Sequence, residues 1–208
     1  MFILSRTTRC SSSVDVKIGV LALQGDVAEH ITAFQQVLDT IPSVVGSVVE
    51  VREAAQIPSL DAIAIPGGES TTISRLIEKN RMHEVLTGFQ GGIFATCAGM
   101  VLMAKSVEDP RICPLGLIDM EVDRNAFGRQ RESFEADIPV QGLDAPFHAV
   151  FIRAPVVRSV GAEATVLATI DQGIVAVLQG KHMALSFHPE LAGDLRLHRL
   201  FLTGLGIV

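Results

Sequence analysis

The chain has 208 residues, 48% of them hydrophobic and 19% charged, a composition that supports a buried core and excludes wholesale disorder. The formal net charge of −6 excludes a general attraction to nucleic acid or anionic membranes, and no apolar run reaches the roughly 18 residues of a transmembrane helix. Three cysteines without CxxC spacing indicate neither a disulfide framework nor a zinc site, so we expect a cytoplasmic protein in a reducing compartment.

The N-terminal segment differs in composition from the rest of the chain. Residues 1–14 contain Arg6, Arg9 and several Ser and Thr but no acid, as in an organelle transit peptide, while the apolar part is too short for a secretory signal. We interpret residues 1–16 as a flexible tail, with organelle targeting as the alternative. Residues 17–208 are predicted to form a single domain.

Predicted strands and helices alternate in the first half of the domain. Asp26 is a suitable N-cap for a helix in which Phe34 and Leu38 recur at helical spacing, and Ser70 or Thr71 can cap a later helix. This alternation indicates a parallel α/β sheet. The predicted strands are 18–23, 47–51, 61–65 and 92–96, and the predicted helices are 27–38, 71–80 and 98–105.

The pattern changes after Pro110, where strands follow one another with little helix between them. Such a run predicts antiparallel strands or hairpins attached to the sheet. A helix over 194–202 closes the chain. The predicted strands are 117–122, 133–138, 149–152, 165–170, 174–178 and 183–187.

Cys97 lies between a predicted strand and a predicted helix. A nucleophile on a sharp strand-to-helix turn needs small residues two positions away on either side, and Ala95 and Gly99 meet this need. Unpaired N–H groups at the start of the helix favour the thiolate form of Cys97, and the Ala98 N–H points to where an oxyanion would form. The alternative is that Cys97 is a small buried core residue.

A second candidate segment, His188-Pro189-Glu190, follows the predicted strand 183–187. Pro189 favours extended geometry at His188, and residues two apart in extended chain project to the same side. A carboxylate beside an imidazole can fix its tautomer and stabilise its cation, as in a catalytic triad. The alternative is an exposed loop.

A third segment, Pro66-Gly67-Gly68-Glu69-Ser70, ends the predicted strand 61–65. Two glycines permit close backbone approach, so that their N–H groups can face a ligand; the alternative is an ordinary turn that leads into a helix. The three segments all follow strands of a predicted α/β sheet, and ligand sites in such sheets lie at the carboxyl ends of the strands.

Six segments of the chain form a characteristic series: LALQGD (21–26), PGGEST (66–71), ATCAGM (95–100), RNAFGRQRESFEAD (124–137), FIRAP (151–155) and SFHPEL (186–191). Through these segments, residues 17–204 resemble the class I glutamine amidotransferase family, in its vitamin B6 branch. The resemblance implies a three-layer α/β sandwich around a mostly parallel mixed sheet. Ala95 stands where the family pattern has glycine, but it remains small.

The resemblance implies a glutaminase that hydrolyses L-glutamine to L-glutamate and ammonia through a cysteine thioester. Cys97 matches the nucleophile, His188 the general base and acid, and Glu190 the residue that orients the histidine. No metal or cofactor is implied.

Other positions match the binding machinery of the family. The N–H groups of Gly68 and Ala98 match the oxyanion hole, and Gln24 matches a residue beside it in a segment that meets the partner. Substrate-binding positions of the family are matched by Gly68, Glu69, Ser70, Arg124, Ile152 and Arg153.

The resemblance further implies a barrel-shaped pyridoxal 5′-phosphate synthase subunit as partner, in a large hetero-oligomer that channels ammonia. It implies no nucleic acid and no membrane. Acidic residues are interleaved with Arg124, Arg129 and Arg131, which favours a loop facing substrate or partner over a patch that binds phosphate or nucleic acid.

Two alternatives remain at this point. The chain could be a glutaminase that serves a different synthase, or a non-catalytic redox sensor that uses Cys97 as an oxidisable thiol. The presence of His188 and Glu190 favours an enzyme, because a sensor needs no oriented base.

Cys10 is interpreted as incidental and Cys113 as structural. Surface or packing roles are expected for the other histidines, His30, His83, His148, His182 and His198.

Overall fold

The computed structural model describes residues 13–124 and 133–208, so residues 125–132 and the first 12 residues of the predicted tail lie outside the described part. The strands are β1 (Val14–Leu21), β2 (Val44–Val51), β3 (Ala62–Ile65), β4 (Gly92–Thr96), β5 (Ala104–Val107), β6 (Ile118–Asp123), β7 (Ser133–Ile138), β8 (Phe147–Ile152), β9 (Val156–Val160), β10 (Thr165–Ile170), β11 (Gly173–Gln179) and β12 (His182–Leu185). The α-helices are α1 (Val27–Asp39), α2 (Ser70–Lys79), α3 (His83–Thr87), α4 (Ala98–Met103) and α5 (Arg196–Gly204), and short 3-10 turns span Ala54–Ser59 and Pro189–Leu191.

The main sheet has the strand order β2-β1-β3-β4-β12-β11-β9-β6-β5, with β10 paired to β11. The neighbours from β2 to β12 run parallel, and β11 and β9 then introduce antiparallel pairs. Strands β7 and β8 form a separate antiparallel pair. The predicted α/β fold with a mostly parallel mixed sheet is confirmed.

The sheet is covered on both faces because its central strands are apolar on both sides. In β3, Ala62 and Ala64 pack with α1, α5 and the β7–β8 pair, whereas Ile63 and Ile65 pack with α2, α3 and α4. All four side chains are buried. A strand buried on both faces loses the polar–apolar alternation of an exposed sheet, which is why the sequence shows a continuous apolar run there. In the described residues, every helix is too short or too polar to cross a membrane.

The start of the sheet corrects the predicted boundary at residue 16. Strand β1 begins at Val14, and its first residues pair with β2 in the register Val14↔Val44 and Val16↔Gly46. The side chain of Asp15 is exposed at this end, so no apolar run marks the strand in the sequence. Backbone hydrogen bonds to a parallel neighbour, which do not depend on side-chain polarity, extend the strand.

One predicted helix cap has the predicted position but makes no capping bond, and a second predicted cap is wrong. Asp26 stands at the N-cap position of α1, but its side chain makes no capping hydrogen bond. At α2 the cap is Glu69 rather than Ser70 or Thr71, and its carboxylate accepts hydrogen bonds from the N–H groups of Thr71 and Thr72. The longer glutamate side chain reaches the free N–H groups of the first turn, which leaves Ser70 within the helix.

Three elements do not follow from the sequence pattern. The helix after Cys97 ends at Met103 instead of 105, and β5 begins at once because Ala104 pairs with Ile118. Strand β9 contains exposed Arg158 and Ser159, so it has no apolar run. Helix α3 is too short for a helical period to be visible.

We predict that Gly99 is required for the tight packing of α4 on the sheet. A Cβ at this position would clash with the carbonyl oxygen of Ile65 and would lie 3.2 Å from the Cβ of Ala95. We expect Gly99→Ala to lower the free energy of unfolding by about 1–3 kcal/mol, because a backbone carbonyl cannot move aside as a flexible side chain can. Urea unfolding followed by circular dichroism measures this change.

Gly204→Ala is the matched control. Gly204 lies at the end of α5, and nothing lies within 4 Å of a Cβ added there. Alanine has the higher helix propensity, so this variant is expected to keep or raise the stability. An equal loss of stability in the two variants would contradict the packing argument.

Candidate active site

The candidate residues follow four neighbouring parallel strands and therefore lie at one edge of the sheet. Strands β1, β3, β4 and β12 all end at this edge, which is the usual place for a ligand site in an α/β sheet. The residues that follow these strands are, in chain order, Gln24, Gly68, Cys97 and His188.

Cys97 occupies a strained turn between β4 and α4. Its φ of 47° and ψ of −104° lie outside the regions that a side chain normally permits. Its N–H donates to the carbonyl oxygen of Leu185 at 2.8 Å, which ties the turn to the end of β12. The side chain is 7% exposed, and its sulfur lies 3.7 Å from the carbonyl oxygen of Ile152. The backbone hydrogen bond to β12 helps to maintain this strained conformation, in which Cys97 lines a cavity.

His188 lies beside both of its predicted partners. Its Nδ1 lies 2.8 Å from Oε1 of Glu190, and the imidazole lines the same cavity as Cys97, whose side chain helps to raise the pKa of His188. The imidazole is 4% exposed and the carboxylate 0%. The predicted extended geometry is wrong for this segment: Pro189–Leu191 is a 3-10 turn, and the turn brings the carboxylate of Glu190 back to the imidazole.

Asp26, predicted as a helix cap, is a further partner of His188. Its Oδ2 lies 3.3 Å from Nδ1 of His188, and its side chain is 40% exposed. The two residues lie at opposite ends of the chain, and only the adjacency of β1, β3, β4 and β12 brings them together. No local sequence signal identifies this contact.

Burial and hydrogen bonding act in opposite directions on the pKa of His188. Burial by itself lowers that pKa, but the hydrogen bonds of the imidazole with Asp26, Cys97 and Glu190 raise it well above its ordinary value. Burial raises the pKa of Glu190, and the hydrogen bond to His188 partly offsets that change. A proton is therefore retained on the imidazole, next to the sulfur of Cys97.

The loop after β3 packs directly against the histidine and against Gln24. A Cβ at Gly67 would clash with the imidazole ring of His188. Gly68 has a φ of 154°, and a side chain there would collide with the amide of Gln24. The Gln24 side-chain oxygen accepts a hydrogen bond from the Glu69 N–H at 2.8 Å. Gln24 thus fixes the loop that contains the Gly68 N–H.

Glu69 is a charged group at the rim of this loop. Burial acts to raise its pKa, but the hydrogen bonds from Thr71 and Thr72 lower it to about 2. The Arg124 guanidinium lies 3.3 Å from the Glu69 carboxylate and also pairs with Asp109. An anionic and a cationic side chain therefore stand together at one side of the cavity.

Nearly all the predicted site residues line one cavity of about 340 Å³. Glu190 lies behind His188 and does not line it. Val101 and Pro155 do line it and were not predicted; Val101 lies one helical turn after Cys97, and Pro155 lies within the FIRAP segment. Arg129, Arg131 and Cys10 lie outside the described residues. The lining residues are Gln24, Gly68, Glu69, Ser70, Cys97, Ala98, Val101, Arg124, Ile152, Arg153, Pro155 and His188.

Two groups of potential metal donors occur in the described part of the chain. Asp26, His188 and Glu190 form one, and their contacts with each other are those given above. The second is formed by Glu78, His83 and Cys113, with donor atoms within 4.8 Å of one another, which the sequence spacing does not show. Burial and the neighbouring Glu78 raise the pKa of the Cys113 thiol.

Residues 20–205 match the model of the SNO glutamine amidotransferase family. The chain belongs to this family. It is similar to the pyridoxal 5′-phosphate synthase subunit PdxT of Methanoregula boonei, with 62% identity over 92% of this chain and 100% of the relative. It is likewise similar to the subunit PdxT of Methanoculleus marisnigri, with 61% identity over 92% of this chain and 99% of the relative. A crystal structure of a glutamine amidotransferase superposes with a TM-score of 0.82 and 44% identity, covering 91% and 98% of the two chains. The family resemblance predicted from the six segments is confirmed.

The family resemblance assigns His188 the role of general acid, and the contact between Asp26 and His188 therefore predicts a pH effect on glutamate release. Asp26→Asn removes an anionic acceptor that raises the pKa of His188. We expect the alkaline limb of the pH profile of kcat/KM to move to lower pH by about half to one unit, a modest shift because solvent screens the half-exposed carboxylate. Glutamate release measured across the alkaline range tests this.

Glu29→Gln is the control for this experiment. It removes one negative charge from the first turn of the same helix, where Glu29 is exposed. Its profile should coincide with that of the wild type. An unchanged alkaline limb in Asp26→Asn, or an equal shift in both variants, would refute a specific effect of Asp26.

Proposed function

We propose that this chain is the glutaminase subunit of a pyridoxal 5′-phosphate synthase, which hydrolyses L-glutamine and delivers the ammonia to a synthase subunit. Membership in a glutamine amidotransferase family and the similarity to two PdxT subunits support this proposal. The observation that carries it is the close contact between His188 and Glu190 beside a cavity that His188 lines together with Cys97.

The first half of the reaction uses Cys97 as nucleophile. Its thiolate attacks the side-chain amide carbon of glutamine, and a C–S bond forms as the carbonyl electrons move to oxygen. The N–H groups of Gly68 and Ala98, both of which line the cavity, are the proposed donors to this oxyanion. The loss of one such donor typically costs about 3–4 kcal/mol of transition-state stabilisation.

His188 transfers the protons. The imidazolium donates its proton to the amide nitrogen, the C–N bond breaks, and ammonia leaves a γ-glutamyl thioester on Cys97. The neutral imidazole then takes a proton from water, whose oxygen attacks the thioester. Glutamate is released and the thiolate is restored. Glu190 orients the ring and stabilises its cationic form during both steps.

The charges at the cavity fit an amino acid substrate. We propose that Glu69, which remains anionic, binds the α-ammonium group of glutamine. Arg124 and Arg153 line the same cavity and supply cationic donors for the α-carboxylate. Ser70 and Ile152 complete the proposed binding site beside them.

The proposed partner is a barrel-shaped synthase subunit in a large hetero-oligomer, to which ammonia passes without release to solvent. Gln24 is the proposed link between this partner and the site, because its side chain holds the Glu69 N–H at the cavity. We place the protein in the cytoplasm, since the reaction requires Cys97 as a free thiol and a reducing compartment maintains it.

A redox-sensing role is less well supported. A sensor thiol is accessible to its oxidant and often stands next to a resolving cysteine. Cys97 is 7% exposed, and the other cysteine of the described residues, Cys113, is a free thiol on the surface. A glutaminase serving a different synthase is the second alternative, and the names of the two relatives favour the vitamin B6 pathway.

We expect Cys97→Ala to reduce glutamate release by at least about a thousandfold, because removal of a nucleophile abolishes the covalent route. The assay uses purified chain mixed with a pyridoxal 5′-phosphate synthase subunit and measures glutamate. Cys113→Ala is the matched control, since it removes a free thiol outside the cavity and should retain the wild-type rate. An active Cys97→Ala variant would show that another group starts the reaction.

Partner choice is tested separately with the wild-type chain. We expect glutamine-dependent formation of pyridoxal 5′-phosphate with the vitamin B6 synthase subunit and no ammonia transfer to synthases of histidine or nucleotide biosynthesis. Glutaminase activity that couples only to one of the latter would replace the proposed partner while leaving the proposed chemistry in place.

A further inference from the structure

We propose that His30 is a positioning residue for the glutaminase site, which holds the carboxylate of Glu190 against the strand that leads to Cys97. This inference rests on the proposed function of the site. His30 lies on α1 and is fully buried. Its Nε2 lies 3.0 Å from the hydroxyl oxygen of Thr96 and 3.5 Å from Oε1 of Glu190. That same Oε1 lies 2.8 Å from Nδ1 of His188.

The contacts of the ring identify which nitrogen carries the proton. Burial, followed by the neighbouring His198 and His188, lowers the pKa of His30 well below its ordinary value, so the ring is neutral and has one N–H. Its Nδ1 has no hydrogen-bond partner among the described residues, while Nε2 faces two oxygens. A proton on Nδ1 would leave a buried donor unpaired and would turn the Nε2 lone pair toward a carboxylate. The Nε2–H tautomer avoids both costs.

Glu190 depends on this donor because its other oxygen is unsupported. Its side chain is 0% exposed, and Oε2 has no hydrogen-bond partner among the described residues. Burial already disfavours the charged carboxylate. Apart from a backbone hydrogen bond within Glu190 itself, the two imidazoles that approach Oε1 are the polar groups among the described residues that hold the carboxylate in the orientation used by His188.

The second contact of His30 joins this carboxylate to the nucleophile. Thr96 is the last residue of β4 and immediately precedes the strained Cys97. The His30 imidazole is hydrogen-bonded to Thr96 at the end of β4 and lies close to Glu190 after β12. It therefore links the ends of these two strands. A change at His30 is thus transmitted to both Cys97 and His188, although His30 does not line the cavity.

His198 provides an internal comparison. It is as fully buried as His30, and the two rings are 6.3 Å apart. Neither of its nitrogens has a partner among the described residues, and its ring packs against Phe34 and Phe94. Burial lowers its pKa to about 4, so it is neutral as well. His198 therefore fills the core in the same cluster without a hydrogen bond to Glu190.

The experiment compares four variants in the complex with the synthase subunit: His30→Ala, His30→Gln, His30→Asn and His198→Ala. We expect His30→Ala to lower kcat for glutamate release by about 10- to 100-fold with KM changed less than about twofold, because a small displacement of reacting groups has an effect of this size. We expect His30→Gln to recover most of the rate, since its amide nitrogen reaches the position of Nε2. Asparagine reaches only the position of Nδ1 and should not recover it.

Two further readouts separate positioning from packing. The alkaline limb of the kcat/KM profile should move to lower pH in His30→Ala, because a less well-placed Glu190 stabilises the His188 cation less. His198→Ala makes the same truncation in the same core cluster and should keep kcat and the pH profile, even if urea unfolding shows a similar loss of stability.

An equal loss of kcat in His30→Ala and His198→Ala, or equal activity in the glutamine and asparagine variants, would overturn the role of His30. The wild type and Cys97→Ala in the same assay distinguish this outcome from failure of the proposed function. If the wild type releases no glutamate, the proposed function fails. If it does and the His30 variants behave like His198→Ala, the inference about His30 alone is wrong.

Discussion

The parallel pairing of β4 with β12 is the constraint on which the rest of the site depends. Its register places Ala184 opposite Ala95 and Leu185 opposite Thr96, and the Cys97 N–H extends the ladder by donating to Leu185. Both strands run in the same direction, so the chain leaves them at the same edge of the sheet. A thiol from one segment and an imidazole from a distant one therefore meet without any local sequence relation between them.

Burial and hydrogen bonding together set the charge state of His188. The His188 ring and the Glu190 carboxylate are almost completely removed from solvent, which by itself disfavours the charge on each. Their mutual hydrogen bond and the approach of Asp26 restore the charged form of the imidazole. The charge state of the histidine is thus a property of the cluster, because no single contact offsets the loss of water alone.

The sequence pattern predicts the bounds of a strand well where its side chains form a clear apolar or alternating run. The strands 92–96, 133–138 and 165–170 have the predicted bounds, because each is an apolar or alternating run. Prediction fails where pairing overrides side-chain pattern, as at Val14, which joins the sheet through backbone hydrogen bonds. It also fails where a side chain has a choice of partners: Asp26 has the right type and position for a helix cap, but it turns toward His188 instead.

The sequence by itself determined the residue types that the chemistry requires, the order of the six motif segments and, through them, the family. The tertiary structure decided which distant residues meet: Asp26 and His30 approach the His188–Glu190 pair, and Val101 and Pro155 enter the cavity wall. These contacts follow from the order of strands in the sheet and from burial of α1 against it. Strand order is set by long-range pairing, which leaves no periodic signal in the chain.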